Sequence, residues 1–323
     1  MIGQGDYVME MADKVQEEHV FKFIPGMDSA PEIETVLASE LTPKEFYDRY
    51  VSQNQPCLIK GAISHWEAMD KWQDPEYLKE KNGDSPTPYY PHMNYESAER
   101  MGEGRKVEPF HHVLDLLRSG TEEILSAPSV VLSEEPFKVL APDTNGYRFL
   151  PNPPKPIAYP KSRAFMYKGA GTGWHFHVTD ETLMSQVIGT KKVGLLPPDK
   201  LTDDLVFDAF KADAYLENGD CFDQSKSNAI KPFTALVEPG DAMYIPPFWW
   251  HGIEPTDNEF GITVAQCWRS PLHVMGDLSY PTVRKIWKKA YTEPSKVTFA
   301  ITALGIASLG AQLWRWITKP LRT

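Results

Sequence analysis

The sequence predicts a mainly β protein, a sandwich or barrel with flanking helices, and three observations support this fold class. The block from residue 164 to 268 contains seven short runs rich in Val, Ile, Thr and aromatic residues, which Gly, Pro and Asp turns separate. The helix signals that we identify lie before and after this block. Of the 323 residues, 41% are hydrophobic and 28 are prolines, so the chain can bury a large core and needs many loops.

The first predicted element after the N-terminus is a helix with a strong start signal. Residues 1–40 are acidic and lack periodicity, which is typical of a partly ordered lead-in. Thr42 can cap a helix, Pro43 suits the first helical position, and Glu45 completes a capping box. We expect this helix to end near Ser52.

The remaining elements follow from short apolar runs. Residues 56–60, closed by Gly61, are typical of a buried strand, and a second helix is predicted around 110–117. The predicted strands of the β block are 164–167, 173–178, 182–188, 192–196, 234–237, 242–245 and 261–268. We therefore divide the chain into a lead-in (1–40), one large β domain (41–290) and a C-terminal helix (291–323).

The C-terminal segment is unusual because residues 297–314 carry no formal charge and are flanked by Lys and Arg. A bilayer needs roughly 20 apolar residues, so this run is borderline, and its Thr, Ser, Gln and Gly content weakens it. Two interpretations stay open. The segment is either a helix packed on the domain or on a second copy in a homodimer, or a C-terminal membrane anchor.

Charge and cysteine content narrow the function classes. The net charge of −11 argues against a broad nucleic-acid surface, because phosphate binding needs concentrated Lys and Arg. The three cysteines are far apart and form no CxxC motif, so neither a disulfide framework nor a thiolate zinc site is indicated. The first 20 residues carry Asp and Glu where a signal peptide has a basic start and an apolar stretch, so we expect an intracellular protein.

Three histidines form the candidate site. His175 and His177 lie two residues apart in a predicted strand, so both side chains should point to the same side. The pair alone does not separate metal ligands from ordinary hydrogen-bonded histidines. In the segment 239–251, however, a turn leads into an apolar strand, and His251 follows two tryptophans that are expected to fill the core. Two imidazoles from one strand and a third from a distant strand can form a facial triad with an open coordination face, as non-haem iron oxygenases require.

Several motifs together carry a resemblance to a known family. They are Pro56-Cys-Leu-Ile-Lys-Gly61, Gly171-Thr-Gly-Trp-His175, Gln186-Val-Ile-Gly189-Thr-Lys191-Lys192 and Pro239-Gly-Asp-Ala-Met-Tyr-Ile-Pro-Pro-Phe-Trp-Trp-His251. Over about residues 41–270 the chain resembles the Jumonji-C (JmjC), cupin-like family of Fe(II)/2-oxoglutarate oxygenases, and in particular its small hydroxylases, such as the asparaginyl hydroxylase that inhibits hypoxia-inducible factor. The resemblance implies a double-stranded β-helix, or jelly roll, of eight main strands. It places the first two metal ligands on the second of these strands and the third ligand on the seventh.

The resemblance also implies roles for individual residues. His175 matches the first metal ligand and His251 the last, and the implied cofactors are Fe(II) and 2-oxoglutarate. Lys191 matches the cation that pairs with the distal carboxylate of 2-oxoglutarate, a task suited to a compact ammonium. The other positions expected to contribute to the cosubstrate or metal pocket are Thr172, Thr263 and Gln266.

The chain departs from the family at His177, where the pattern has Asp or Glu. A neutral imidazole leaves the metal site one unit more positive, and a dianionic 2-oxoglutarate can still neutralise it. Asp180 is an alternative carboxylate, but three positions further on it lies on the wrong face of a regular strand unless a bulge intervenes. We therefore expect His177, rather than Asp180, to complete the ligand set with His175 and His251.

Three functions remain in contention. The leading one is an Fe(II)- and 2-oxoglutarate-dependent hydroxylase acting on a protein, an RNA-linked base or a small molecule. The alternatives are a three-histidine cupin dioxygenase that does not use 2-oxoglutarate, and a non-catalytic binding protein of the same fold that has lost the carboxylate ligand. Substrate identity should reside in loops such as 85–150 and 200–232, which carry no recognisable code.

Overall fold

The computed structural model describes residues 21, 24, 26–91, 105–199, 201–202, 230–292 and 296–318. Its centre is a pair of β-sheets. The strands are β1 (Thr35–Leu37), β2 (Cys57–Lys60), β3 (Pro86–Pro91), β4 (Lys106–Pro109), β5 (Leu125–Val131), β6 (Ser162–Lys168), β7 (Thr172–His175), β8 (Asp180–Ile188), β9 (Lys191–Leu196), β10 (Phe233–Val237), β11 (Ala242–Ile245), β12 (Trp250–Pro255) and β13 (Phe260–Arg269).

The strand order confirms the mainly β, jelly-roll prediction. The large sheet has the order β1-β2-β11-β8-β13-β6-β5-β3-β4 and the small sheet the order β10-β9-β12-β7. The eight strands β6 to β13 are thus divided between two four-stranded groups, as in a double-stranded β-helix. Strands β1 to β5 extend the large sheet at both ends.

Helices cover the outer side and the C-terminal end of the barrel. They are α1 (Pro43–Arg49), α2 (Ala68–Lys71), α3 (Pro75–Asn82), α4 (Phe110–Leu117), α5 (Leu272–Met275), α6 (Pro281–Thr292) and α7 (Lys296–Thr318). The capping box of α1 is confirmed, because the Thr42 hydroxyl accepts from the Glu45 amide at 3.2 Å and the Glu45 carboxylate accepts from the Thr42 amide at 3.0 Å. The helix ends at Arg49, earlier than expected, and the chain continues as a 3₁₀ turn over Val51–Gln53.

Two strand predictions need correction. The run predicted over 173–178 ends as a strand at His175, so His177 lies beyond β7 rather than on it. We also missed β12, in which His251 is the second residue. The periodicity of its sequence, WHGIEP, is interrupted by Gly and Pro, and only its pairing with β9 and β7 makes it a strand.

Three apolar clusters hold these layers together. The outer face of the large sheet packs against the helices through large aromatic residues that include Phe46, Trp72 and Trp268. Between the two sheets lies a smaller cluster with Val193, Met243 and Trp249. The outer face of the small sheet is covered by lead-in residues, namely Phe21, Ile24 and Met27, packed with Trp174, Leu196, Ile230 and Trp250.

The C-terminal helix α7 packs on the domain. Gln312 Nε2 donates to the His273 carbonyl at 2.9 Å, and Arg315 Nη1 donates to the Ser52 carbonyl at 2.8 Å. Among the described residues, no helix is both long and apolar enough to span a bilayer, so the membrane-anchor interpretation finds no support. The exposed apolar side chains of α7 are Phe299, Ile306, Leu309, Leu313, Trp314, Trp316 and Ile317. A homodimer through this helix stays a prediction, and the segment on which the signal-peptide argument rests lies outside the described residues.

Candidate metal centre

The three predicted histidines converge at one end of the space between the sheets. The ring centroids of His175 and His251 are 4.1 Å apart, those of His177 and His251 5.0 Å, and those of His175 and His177 5.2 Å. One ring nitrogen from each residue lies within 4.8 Å of the others, a spacing that lets a single ion contact all three. We call this group the metal end.

Different backbone features place each ring. His175 and His251 are directly opposite each other on the paired strands β7 and β12, so their side chains share a face. His177 follows the end of β7, where its carbonyl accepts a 2.8 Å hydrogen bond from the amide of Phe248. Phe248 adopts a left-handed φ of 65° in the Pro-rich turn before β12. The turn therefore holds the third histidine in place after the strand has stopped.

A second contact orients each imidazole. Nδ1 of His175 lies 2.9 Å from the Gly173 carbonyl, and Nδ1 of His251 lies 3.0 Å from the Trp249 carbonyl. Because a carbonyl oxygen can only accept, these two Nδ1 atoms carry the proton and Nε2 keeps the lone pair. Nδ1 of His177 lies 2.8 Å from the Thr182 hydroxyl. Such outer contacts fix the ring orientation of metal-binding histidines and leave Nε2 as the ligand atom.

Burial keeps the imidazoles of His177 and His251 neutral. Desolvation, followed by the neighbouring His175, lowers the pKa of both His177 and His251 well below the usual value. His251 is 2% exposed and His177 8% exposed, whereas His175 is half-buried. A neutral imidazole is the form that binds a metal. The charge state of the metal end therefore suits a cation.

The alternative ligand Asp180 does not belong to this group. It is fully buried, and its two carboxylate oxygens accept from the backbone amides of Ile157, Ala158 and Tyr159 at 2.6 to 3.1 Å. The loop held in this way brings the Tyr159 ring to 4.8 Å from the ring of His177. Asp180 thus anchors a loop against the third histidine instead of contributing an oxygen to the triad.

Lys191 lies in the same interior, further along the small sheet. It is 4% exposed, and its Nζ stands 3.7 Å from the centroid of the Tyr167 ring. Within the described part of the chain, no carboxylate or other hydrogen-bond acceptor pairs with this ammonium. Burial consequently lowers the pKa of Lys191 to about 7. A buried amine without an anion is an unfavourable arrangement that a bound carboxylate would relieve.

Polar side chains of the large sheet complete what we call the lysine pocket. Gln186 Nε2 donates to the Tyr167 hydroxyl at 2.8 Å, and the Thr263 hydroxyl donates to Gln186 Oε1 at 2.7 Å. Tyr167 fits closely because a Cβ at Gly261 on the neighbouring strand would overlap its ring. The pocket therefore consists of Lys191, Tyr167, Gln186 and Thr263.

Sequence reasoning placed two of these four residues and missed two. Lys191 and Thr263 were expected, whereas Tyr167 appeared only as a strand residue and Gln186 only as a member of a family motif. A usable signal existed, because both are polar residues within the apolar runs that predicted their strands.

The other two predicted pocket residues fare differently. Thr172 is the first residue of β7, half-buried and opposite Ile253, so it lies on the small sheet between the metal end and the lysine pocket. Gln266 is separated from Thr263 by three positions on β13. Gln266 lies on the same face of β13 as Ile262, Val264 and Trp268, which belong to the helix-covered core on the outer face. Gln266 thus faces away from the pocket, which corrects the prediction that it contributes there.

Comparison with known proteins gives a consistent picture. The model of a family described as "Cupin-like domain" matches residues 43–273. The chain is similar to "Arginine-specific demethylase JMJ22" of Arabidopsis thaliana, with 24% identity over 76% of this chain and 49% of that protein. It is 26% identical to "Jumonji C domain-containing protein 5" of Drosophila melanogaster, over 74% of this chain and 59% of that protein. It is 23% identical to "Bifunctional arginine demethylase and lysyl-hydroxylase psr-1" of Caenorhabditis elegans, over 84% and 70%. The chain therefore spans only about half the length of the first two relatives.

Proposed function

The chain belongs to the cupin-like, JmjC-domain family, and on that basis we propose that it is an Fe(II)- and 2-oxoglutarate-dependent oxygenase that hydroxylates its substrate. In this proposal His175, His177 and His251 hold the iron, and Lys191 binds the distal carboxylate of 2-oxoglutarate. The names of the relatives include demethylases and a lysyl-hydroxylase, so a protein side chain is the first substrate class to test.

One observation carries the proposal: the metal end and the lysine pocket both lie on the inner faces of the two sheets, and we refer to the space between these faces as the cavity. His251 lies opposite Leu195 and Pro255 lies opposite Lys191 on the paired strands β12 and β9. Leu195, Val193 and Lys191 alternate along β9, so all three side chains face the large sheet. Four residues of strand separate the two sites by roughly 13 Å, and the lysine side chain covers part of that distance. This spacing suits a short dicarboxylate that reaches from the metal to the ammonium.

The donor set fits a divalent ion together with an anionic cosubstrate. Three neutral imidazoles leave the charge of Fe(II) at +2, and three facial ligands leave half of an octahedron open. One carboxylate of a dicarboxylate dianion would offset part of that charge at the metal, and its far end would pair with Lys191. The absence of a carboxylate at position 177 thus makes the anion more important to this chain than to relatives with an acidic ligand.

The protein's own residues would bind, orient and shield. Bound iron supplies oxygen activation, and the chain fixes geometry around it. Thr182 and the carbonyls of Gly173 and Trp249 hold the three rings in position. Next to them Phe176 packs on Trp250 with ring centroids 4.9 Å apart, which limits water access from the outer side of the small sheet. Tyr167 covers the ammonium of Lys191.

The test is succinate release by the purified chain supplied with Fe(II) and 2-oxoglutarate, accompanied by metal identification and a titration of 2-oxoglutarate. We expect stoichiometric metal, 2-oxoglutarate binding that Lys191→Ala abolishes, and succinate release. A His177→Asp variant restores the family's ligand and serves as the reference for the three-histidine site. Absence of both 2-oxoglutarate binding and turnover in the wild-type chain, with metal bound, would refute the proposal.

A second candidate follows from His177 itself. Three-histidine sites occur in cupin dioxygenases that bind an organic substrate directly, so the imidazole at this position favours a 2-oxoglutarate-independent dioxygenase as the alternative. It predicts oxygen consumption that requires no 2-oxoglutarate and that Lys191→Ala barely changes. Oxygen-electrode measurements with both proteins, with and without 2-oxoglutarate, separate the two candidates.

A further inference from the structure

Arg163 lies at the metal end of the cavity, on the inner face of the large sheet. On β6, the side chains of Ala164 and Met166 face the helix-covered core. Arg163 lies on the opposite face of this strand because side chains alternate, so it faces the small sheet. It is directly opposite Ala265 on β13, and the next inward residue of that strand, Cys267, is opposite Thr182. The hydroxyl of Thr182 contacts His177 Nδ1 at 2.8 Å. The guanidinium of Arg163 therefore lies on the same inner face of the large sheet as Thr182, which orients His177.

Within the described part of the chain, no acid neutralises this guanidinium. Arg163 is half-buried, and its guanidinium carbon stands 4.4 Å from the centroid of the Phe165 ring. Among the described residues it has no ion pair with a carboxylate and no side-chain hydrogen bond. A half-buried cation beside a metal site is unfavourable until an anion arrives.

Charge counting shows that the proposed cosubstrate does not supply that anion. No carboxylate of the described residues joins the triad, and Asp180 is engaged with the backbone of its loop. A dianionic 2-oxoglutarate offers one carboxylate to the divalent metal and its distal carboxylate to Lys191, at the other end of the cavity. The positive charge of Arg163 then remains unbalanced next to the open coordination face, together with one unit of the metal's charge.

We propose that the substrate carries a carboxylate and that Arg163 binds this carboxylate beside the metal. This inference rests on the proposed function, and it names the substrate class of the same site. The planar guanidinium can hold a carboxylate through two parallel hydrogen bonds, which orients the substrate as well as attracting it. The same charge repels a cationic side chain, so this chain should differ from relatives whose names specify arginine or lysine. Arg163 is a specificity-determining residue in this scheme.

The experiment compares matched small probes by saturation-transfer NMR and equilibrium dialysis on the full chain, both without metal and loaded with Zn(II) and 2-oxoglutarate. The probes are N-acetyl-glutamate methylamide, its uncharged glutamine isostere, the lysine analogue, and N-acetyl-alanine, which carries only a free α-carboxylate. We expect the glutamate probe to bind about tenfold more tightly than the glutamine probe, and the lysine probe to bind most weakly. The N-acetyl-alanine arm distinguishes a side-chain carboxylate from a terminal or small-molecule one.

Three variants assign the effect. Arg163→Gln should remove the preference for the acid, and Arg163→Lys should keep part of it. Arg118→Gln is the matched control, because Arg118 also stacks on a phenylalanine, Phe260, at 5.0 Å but lies exposed at the end of α4. Arg118→Gln should leave the preference unchanged. Thermal unfolding of each variant shows whether it is folded. If Arg163→Gln does not fold, the comparison of Arg163→Lys with the wild-type chain is the test.

The outcomes separate this inference from the proposed function. Equal binding of acid and amide, or stronger binding of the lysine probe, overturns the inference while 2-oxoglutarate binding remains intact. Loss of 2-oxoglutarate binding in Arg163→Gln also overturns it, because Arg163 would then belong to the cosubstrate site. If the wild-type chain prefers the acid through Arg163 but does not bind 2-oxoglutarate, the carboxylate site stands and the oxygenase proposal fails.

Discussion

The two ends of the cavity are built on opposite principles. At the metal end, each of the three imidazoles has a partner for Nδ1, so the rings are oriented in advance, and burial keeps His177 and His251 neutral. In the lysine pocket, the described residues offer the buried ammonium an aromatic ring and no anion. The metal end can therefore accept a cation without rearrangement, whereas the buried charge in the lysine pocket is unfavourable until an anion binds. We therefore expect changes at the metal end to alter metal affinity, and a ligand bound in the lysine pocket to alter the protonation of Lys191.

The largest expected effect is at the metal end. His251→Ala removes the ligand that pairs with His175 across the two strands, and we expect metal affinity to fall by more than about 100-fold, beyond the loss typical of an outer contact. Metal content after gel filtration and a competition titration measure it. His112→Ala, an exposed histidine on α4, is the control and should retain metal. Equal metal content in both variants would show that the triad is not the binding site.

In the lysine pocket, Lys191→Met should strongly weaken 2-oxoglutarate binding without affecting the metal. Removing the ammonium leaves the distal carboxylate buried and unpaired, so we expect a loss of roughly 100-fold in affinity. Lys191→Arg retains the charge and should lose less. Calorimetric titration of 2-oxoglutarate into Zn(II)-loaded protein tests both variants. A parallel loss of metal in Lys191→Met would contradict the independence of the two ends.

The sequence predicted the metal end by a partly wrong route. Both histidines of the 175/177 pair were assigned to one strand, and alternation was expected to bring them together. In the structure β7 ends at His175, and the amide of Phe248, from a distant turn, holds His177. Local periodicity reports strand faces, but it carries no information on which backbone amide will meet a carbonyl 71 residues earlier in the chain. The three histidines do lie close together, and their role as metal ligands stays a prediction.

The lysine pocket was predicted less completely for the same physical reason. The strand pattern identified most of the barrel, including β11 at its full length, because alternation and turn residues are local signals. Tyr167, Gln186 and Thr263 come from three strands that meet through sheet pairing, and the pairing register depends on the whole fold. Gln266 shows the converse: it is close to Thr263 in sequence, but alternation turns it to the other face.

The protonation of Lys191 provides a pH test of the comparison. Its folded-state pKa is about 7, below the usual value near 10.5, so the unfolded chain binds more protons between these two values and stability should rise with pH across that window. A bound carboxylate favours the ammonium, so 2-oxoglutarate affinity should be strongest below pH 7 and fall above it, by up to about tenfold per pH unit. Titrations at about pH 6.5, 7.5 and 8.5 in buffers of different ionisation enthalpy would reveal proton uptake.

The control for this test is Lys191→Met. Its stability curve should lack the rise between pH 7 and pH 10 that the wild-type lysine produces, because no group at that position titrates. Metal affinity should not share the pH profile of 2-oxoglutarate affinity above pH 7, since burial keeps His177 and His251 neutral throughout that range. An affinity for 2-oxoglutarate that is constant from pH 7 to pH 9 would mean that Lys191 does not bind the cosubstrate.

The smallest expected effects come from a pair of buried threonines, one at each end. Thr182→Val removes the contact with His177 Nδ1 and should weaken metal binding by about tenfold, the lower limit for an outer contact. Thr263→Val removes the hydrogen bond to Gln186 and should weaken 2-oxoglutarate binding a few-fold while metal affinity stays unchanged. Both residues face the cavity from the large sheet, so each variant is the matched control for the other. Titrations of metal and of 2-oxoglutarate with both proteins give four affinities. If each variant weakened both ligands equally, the two ends would form one coupled site, and the distinction between an oriented metal end and an unpaired lysine pocket would not hold.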